Sequence, residues 1–303
     1  MTSAAARSTQ RTAPEQDVSR RLLDSSATLS YDPATEIDWD APLPEDKYGL
    51  NPEWSTLYGT PLWDEMSEAQ RVTLTRHEVC SIMSTGIWFE MILQQMILRD
   101  QYVHDPANAE FQFALTEIAD ECRHSIMFAR TCEKLGVPAY FPHKVVVELA
   151  RVFKSTAGGE VAYGGTLVAE EVLDVMQRDW MRGENVLDIV RTSSKIHVVE
   201  ESRHMKFARQ EIREHMEGIS PFRRRTSATT IAAVAYVIVR SLVNPGVYRA
   251  AGLDTRRAVA AAASNQHRKS MMRNACAGLM EFLSEAGLLN RPAVALYQRV
   301  HMI

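Results

Sequence analysis

Apolar residues return at helical spacing over 66–102, through Val79, Ile82, Met83, Ile87, Leu93 and Ile97, until Asp105-Pro106 ends or restarts the run. A second run over 113–135 stops at Gly136 with Pro138 beyond, the punctuation of a helix C-terminus. A shorter helix is predicted near 143–155, followed by a break at GGEVAYGG. The pattern then predicts a helix over 166–180 and a long one over 187–216, closed by Gly218 and Pro221. Further helical stretches, roughly 222–242 and 254–286, precede a short C-terminal segment from Pro292. No run alternates with a period of two, so the chain reads as all-α, a bundle of long helices.

The polar, Ser/Thr/Ala-rich and then acidic stretch 1–45, with Pro33, Pro42 and Pro44, is expected to be a flexible tail and extended arm. Residues 46–303 are expected to form one domain. With 46% apolar and 24% charged residues the chain can bury a sizeable core. A net charge of −4 gives no broad basic field, and the three arginines at 223–225 are too few to make one, so nucleic acid is not expected as a partner. The four cysteines lack CxxC spacing and no secretory segment is evident, which points to a reducing cytoplasm. The most apolar run, TTIAAVAYVIV, reads as too short to cross a bilayer, so no membrane is expected.

One phrase is written twice. ADECRHSIMFAR begins at Ala119 and VEESRHMKFAR at Val199, so that Asp120, Glu121, Arg123 and His124 become Glu200, Glu201, Arg203 and His204 on adding 80. Glu-x-x-His on a helix sets both side chains on one face. The offset extends backwards: Glu90 lies 31 residues before Glu121, and Glu170 lies 31 before Glu201. Glu90 shares its helix face with Met83, Gly86, Leu93 and Ile97, where an unpaired carboxylate would cost several kcal/mol. A solvated stripe of ion pairs is the structural alternative. Two helices giving one Glu each and two giving Glu-x-x-His match instead the ferritin-like four-helix bundle that holds a di-iron or di-manganese centre. Four carboxylates balance two divalent ions, and mixed carboxylate and imidazole ligands suit iron or manganese.

Metal-bound histidines commonly donate their other N–H to a carboxylate. Asp120 and Glu200, each one residue before a Glu of the repeat, are placed for a crossed pairing of Asp120 with His204 and Glu200 with His124, with Arg123 and Arg203 balancing the acids. Surface ion pairs are the alternative for these four residues. The repeat breaks one turn earlier, where His197 corresponds to Glu117. His197 is expected to be a seventh ligand and a catalytic residue. Glu117 faces the same centre, with metal binding, hydrogen bonding and proton transfer all open to it.

The set Glu90, Glu121, His124, Glu170, His197, Glu201 and His204, with its His-x-x-x-Glu-x-x-His signature, resembles the AurF-type p-aminobenzoate N-oxygenase family of non-heme di-iron proteins. The segment LYGTPLWDEMSEAQ at 57–70 is similar to that family's entry to its first core helix. The resemblance implies two iron ions, with manganese as the alternative, and O2 as co-substrate. It also implies an external electron donor or reductase, a homodimer, and oxidation of an aryl amine through hydroxylamine toward nitroso or nitro. It further implies that Glu121 and Glu201 bridge, that Glu90 and His124 complete one site, and that Glu170, His197 and His204 complete the other.

No Arg or Lys shares the inward face around Glu90, which argues against an acidic aromatic substrate. Candidate substrate-pocket residues near the acids are Thr85, Tyr163, Thr166, Asp174, Gln177 and Arg178, with Gly164 and Gly165 either leaving room for a ligand or serving a loop. A di-iron hydroxylase or acyl desaturase is the alternative enzyme, and a ferritin-like ferroxidase is the reading without an organic substrate.

Overall fold

The computed structural model describes residues 13–303. In chain order the helices are α1 (Ala13–Thr28), α2 (Pro33–Glu36), α3 (Pro61–Glu65), α4 (Glu68–Gln101), α5 (Ala109–Lys134), α6 (Lys144–Thr156) and α7 (Glu160–Trp180). They continue as α8 (Asp188–Met216), α9 (Pro221–Ser241), α10 (Gly246–Ala250), α11 (Thr255–Ser264), α12 (Gln266–Glu285) and α13 (Arg291–Arg299). Among the described residues the only β pairing is an isolated bridge between Tyr48 and Val186.

Four of these helices make a ferritin-like bundle. α4 packs on α5, α7 packs on α8, and the two hairpins join through α5 against α8 and α4 against α7. The local sequence explains where they start and stop. Ser67 and Gln70 form a reciprocal capping box at the start of α4. Gly136, at φ +66°, closes α5, with the Val137 N–H donating back to the Cys132 carbonyl at 3.1 Å. Each helix turns its apolar stripe inward, so Phe113, Met127, Phe128, Leu167, Val172 and Phe207 are buried between the hairpins.

The structure departs from the sequence reading in four places. Residues 1–12 of the expected tail lie outside the described residues, but residues 13–45 are folded onto the bundle: α1 packs against α5 and α8, and Leu22 and Ile37 enter the core. GGEVAYGG is not a break throughout, because α7 begins at Glu160 and contains both later glycines. A Cβ at Gly164 would lie 2.5 Å from Ile231 Cδ1 and one at Gly165 would lie 3.0 Å from Phe153 Cζ, so these glycines let α9 and α6 approach α7. The stretch 254–286 is divided at Asn265, whose side-chain oxygen caps α12 while its amide donates to the Thr56 and Tyr58 carbonyls, both at 2.9 Å. Finally, TTIAAVAYVIV belongs to a stretch, Pro221–Ala250, that is long and apolar enough to cross a membrane by length and composition. Here α9 packs on α7 and α13 with Ile231, Ala232, Ala235 and Ile238 buried, as a core helix does.

Candidate metal centre

The Glu-x-x-His faces of α5 and α8 meet in the middle of the bundle, and Glu90 of α4 and Glu170 of α7 close on them from either side. Glu90, Glu117, Glu121, His124, Glu170, His197, Glu201 and His204 are each no more than 6% exposed. Eight titratable side chains at that depth are not a solvated stripe. His124 Nδ1 lies 3.4 Å from Glu121 Oε2 and 3.1 Å from Glu201 Oε1, and His204 Nδ1 lies 3.2 Å from Glu121 Oε1 and 3.2 Å from Glu201 Oε2. Glu121 and Glu201 therefore each face both histidines, the position a bridging carboxylate needs.

The ligand atoms form three overlapping groups, one of them Glu121, His124 and Glu201. Glu90, His124 and His197 offer atoms within 4.8 Å of one another, and so do Glu117, Glu121, Glu170 and His204. His197 thus falls on the Glu90/His124 side, not beside Glu170 and His204 as the resemblance implied. The reason is axial rise: His197 and His204 are seven residues apart, about 10 Å along a helix, too far to share one ion. His197 lies one turn before Glu201 and His204 one turn after it, so they serve opposite sides of the bridge. The same rule on α5 sends Glu117 across to Glu170 and His204. One half carries two imidazoles and a carboxylate, and the other carries two carboxylates and an imidazole.

The outer polar layer is crossed between the hairpins. His124 Nε2 lies 2.7 Å from Glu200 Oε2, and His204 Nε2 lies 3.3 Å from Asp120 Oδ2. Both histidines accordingly turn Nδ1 inward and Nε2 toward an acid. Arg123 pairs with Asp120 and lies 3.7 Å from Glu200, while Arg203 lies 3.5 Å from Asp120 and 4.0 Å from Glu200. The N-terminal segment completes this layer, a contribution no motif announced. The Tyr31 N–H and the Ser30 hydroxyl donate to Glu200 Oε1 at 3.0 and 3.2 Å, and Arg203 donates to the Leu29 carbonyl at 2.9 Å. Ser125, which donates to Glu90 Oε2, was also invisible, because its counterpart at the 80-residue offset is Met205.

The electrostatics show that the protein alone does not satisfy these groups. Burial pushes the Glu90 carboxyl up, and burial, with neighbouring acids adding to it, pushes Glu117 and Glu170 well above the ordinary carboxylate range. Burial acts against the charged form of His124 and His204, yet the surrounding carboxylates raise both imidazoles well above their usual value. Burial likewise opposes ionisation of Glu201, but His204 and His197 hold it well below the usual range. Among the described residues, both oxygens of Glu170 and one oxygen each of Glu90 and Glu117 are buried without a hydrogen-bond partner. Such orphaned acceptors are costly, and a pair of divalent cations would satisfy them: Glu90, Glu121, Glu170 and Glu201 would balance the charge, while Glu117 adds a fifth carboxylate that burial biases toward protonation. The residues fit a dinuclear metal cofactor.

Beside the centre lies a cavity of about 420 Å³. Glu90, Glu121, Glu170, His197 and Glu201 line its inner end, and α4, α6, α7 and α9 supply its walls, among them Trp88, Phe89, Val146, Phe153, Leu173 and Val237. Of the substrate-pocket candidates only Thr166 lines it. Thr85 donates its hydroxyl to the Ser81 and Ser241 carbonyls, Tyr163 donates to Asp100 at 2.9 Å, and Arg178 is paired with Asp174 at 2.6 Å. Gln177 is buried outside the cavity, eleven residues beyond Thr166 and so about 16 Å further along α7. Proximity to Glu170 in sequence misled, because the cavity lies on the stripe through Gly165, Thr166, Ala169, Glu170 and Leu173.

A ferritin-like helical bundle whose buried carboxylate–histidine cluster could hold metal, beside a largely apolar cavity, defines the class. The chain belongs to the family described as P-aminobenzoate N-oxygenase AurF, a family of di-iron oxygenases, which matches residues 12–287. It is also similar to two mycobacterial proteins that carry no assigned function. The protein MT0908 of Mycobacterium tuberculosis is 25% identical over 230 residues, covering 74% of this chain and 66% of that protein. The protein Mb0909 of Mycobacterium bovis is 24% identical over 210 residues, covering 67% of this chain and 62% of that protein. The chain thus spans just under two thirds of the length of these relatives.

Proposed function

We propose that this protein is a di-iron N-oxygenase that converts an aryl amine to its hydroxylamine and onward to nitroso or nitro product. The observation that carries the proposal is His197, an imidazole beyond the six-ligand set of the bundle, set between Glu90, Glu201 and the cavity. In this reading Glu90, His124 and His197 would hold one iron and Glu117, Glu170 and His204 the other, with Glu121 and Glu201 available to both. The iron pair supplies O2 binding and redox equivalents when bound. The first step balances as amine, O2, two electrons and two protons giving hydroxylamine and water, so an external electron donor is required.

The chain's own contribution is to bind and to exclude. The apolar chamber keeps the amine neutral, with its lone pair free, because burial disfavours the ammonium form. Glu200 and Asp120 hold the proton of each histidine on Nε2, leaving Nδ1 for metal. A chamber of this size beside the site supports oxidation of an organic substrate over a ferroxidase role, which needs only a path for ions. The test is to supply chemically reduced, iron-loaded protein with 18O2 and a panel of aryl amines, and to analyse the products by mass spectrometry. 18O on nitrogen supports the reading, one atom in a hydroxylamine or nitroso product and two in a nitro product. Label on carbon, or a desaturated product, would transfer the protein to the hydroxylase or desaturase alternative.

A further inference from the structure

Resting on the reading just proposed, we infer that the substrate is an uncharged aryl amine carrying no carboxylate and larger than a single ring. Two features of the chamber lead there. The first is its charge: among the described residues that line it there is no Lys or Arg, and the ionisable ones are Glu90, Glu121, Glu170, Glu201 and His197, all of them assigned above to the metal centre. The remaining side chains able to hydrogen-bond are Trp88, Thr156, Thr166 and Thr230. Thr156 already donates to the Val152 carbonyl at 2.8 Å within its own helix. The buried hydroxyl of Thr166 has no partner among the described residues, yet it carries no charge. A substrate carboxylate would enter a largely apolar chamber that offers it no counter-ion, since the charges of two divalent metals would already be balanced by the four acids, and this costs several kcal/mol even after relaxation.

The second feature is volume. An apolar cavity of about 150 Å³ takes one benzene ring, and this one measures about 420 Å³. A one-ring amine placed against Glu90 and His197 would leave more than half of the chamber without contacts. Trp88, Phe89, Phe153, Leu173, Val234 and Val237 offer a second ring or an alkyl extension a continuous apolar lining. Affinity for a neutral amine therefore rises with the apolar area it adds.

The experiment is anaerobic calorimetric titration of the reduced, iron-loaded protein with four probes at pH 7.5: aniline, 4-aminobiphenyl, 4-aminobenzamide and 4-aminobenzoate. The last two have nearly the same shape and differ in charge. The expected result is that 4-aminobenzamide binds at least about 10-fold more tightly than 4-aminobenzoate, and that 4-aminobiphenyl binds about 10–100-fold more tightly than aniline. Equal or tighter binding of 4-aminobenzoate overturns the charge inference, and biphenyl binding within about twofold of aniline overturns the size inference. Because binding is read without O2, these preferences are independent of turnover. Admitting O2 to the 4-aminobiphenyl complex afterwards tests N-oxygenation separately.

Discussion

Replacing Glu200 with Gln exchanges one oxygen for an NH2 group and should cost the protein much of its metal. Glu200 accepts on both oxygens: Oε2 faces His124 Nε2 at 2.7 Å, and Oε1 takes the Tyr31 N–H at 3.0 Å and the Ser30 hydroxyl at 3.2 Å, with Arg123 at 3.7 Å. Burial works against the charge, but the bond with His124 and its field hold the carboxyl below the usual range. Glutamine has one acceptor oxygen. If that oxygen serves Tyr31 and Ser30, its NH2 faces His124, and the imidazole proton must move to Nδ1, the nitrogen that faces Glu121 and Glu201. A protonated Nδ1 cannot bind metal. If the amide is turned round, His124 keeps its tautomer but the Tyr31 N–H and Ser30 hydroxyl confront an NH2 group, and a buried donor left unmet costs about 1–3 kcal/mol. Either route amounts to about 10–100-fold in iron affinity, or roughly 1.4–2.7 kcal/mol. The assay is anaerobic competition for Fe(II) between the metal-free protein and a chromophoric chelator, with helicity followed by circular dichroism. A Glu200→Gln variant that stays folded and keeps wild-type affinity within about twofold refutes the outer-layer account.

Other perturbations follow from the same geometry. Glu117→Ala should leave the helices intact and lower iron content from about two toward one per chain, measured by elemental analysis, because it strips the side holding Glu170 and His204; full retention of both metals would remove Glu117 from the ligand set. Deleting residues 1–31 should weaken iron retention by about tenfold in the chelator assay, since Tyr31 and Ser30 leave Glu200 and Leu29 leaves Arg203; unchanged retention would make that contact incidental. The metal-free protein should lose stability as pH rises above about 6.5. His124 and His204 are raised above that value in the folded state, so their contribution is complete below it and is lost as pH climbs through the folded values. The raised carboxyls of Glu117 and Glu170 act in the same direction, while the depressed Glu201 acts only below the usual carboxylate range. Thermal unfolding at pH 6.5 and 8.5 reads the effect, and a higher midpoint at 8.5 would contradict it.

The cluster of buried acids and histidines was legible in the sequence because it is written as a repeat. Two hairpins offset by 80 residues must present equivalent faces, so Glu90 and Glu170 declared themselves through their distance from Glu121 and Glu201. What the letters concealed was which residue pairs with which across the bundle. His197 and His204 share a face of α8, yet seven residues of rise carry them to opposite ends of the site, and only the packing of α8 against α5 shows His197 meeting His124. The chamber was less legible still. Part of its wall comes from α6 and α9, whose Val146, Phe153, Val234 and Val237 are indistinguishable in sequence from ordinary core residues. The N-terminal contribution was hidden for another reason: the Tyr31 contact is made by a backbone N–H, and a backbone donor leaves no residue signature.

The account stands on two metals sharing this ligand set, and a crystal structure of the iron-loaded protein with anomalous data collected at the iron edge tests it most directly. The predicted result is two anomalous peaks about 3.5–4 Å apart, one contacted by Glu90, His124 and His197 and the other by Glu117, Glu170 and His204, with Glu121 and Glu201 between them. A single peak, or two peaks with His197 bound on the Glu170 side, would contradict it.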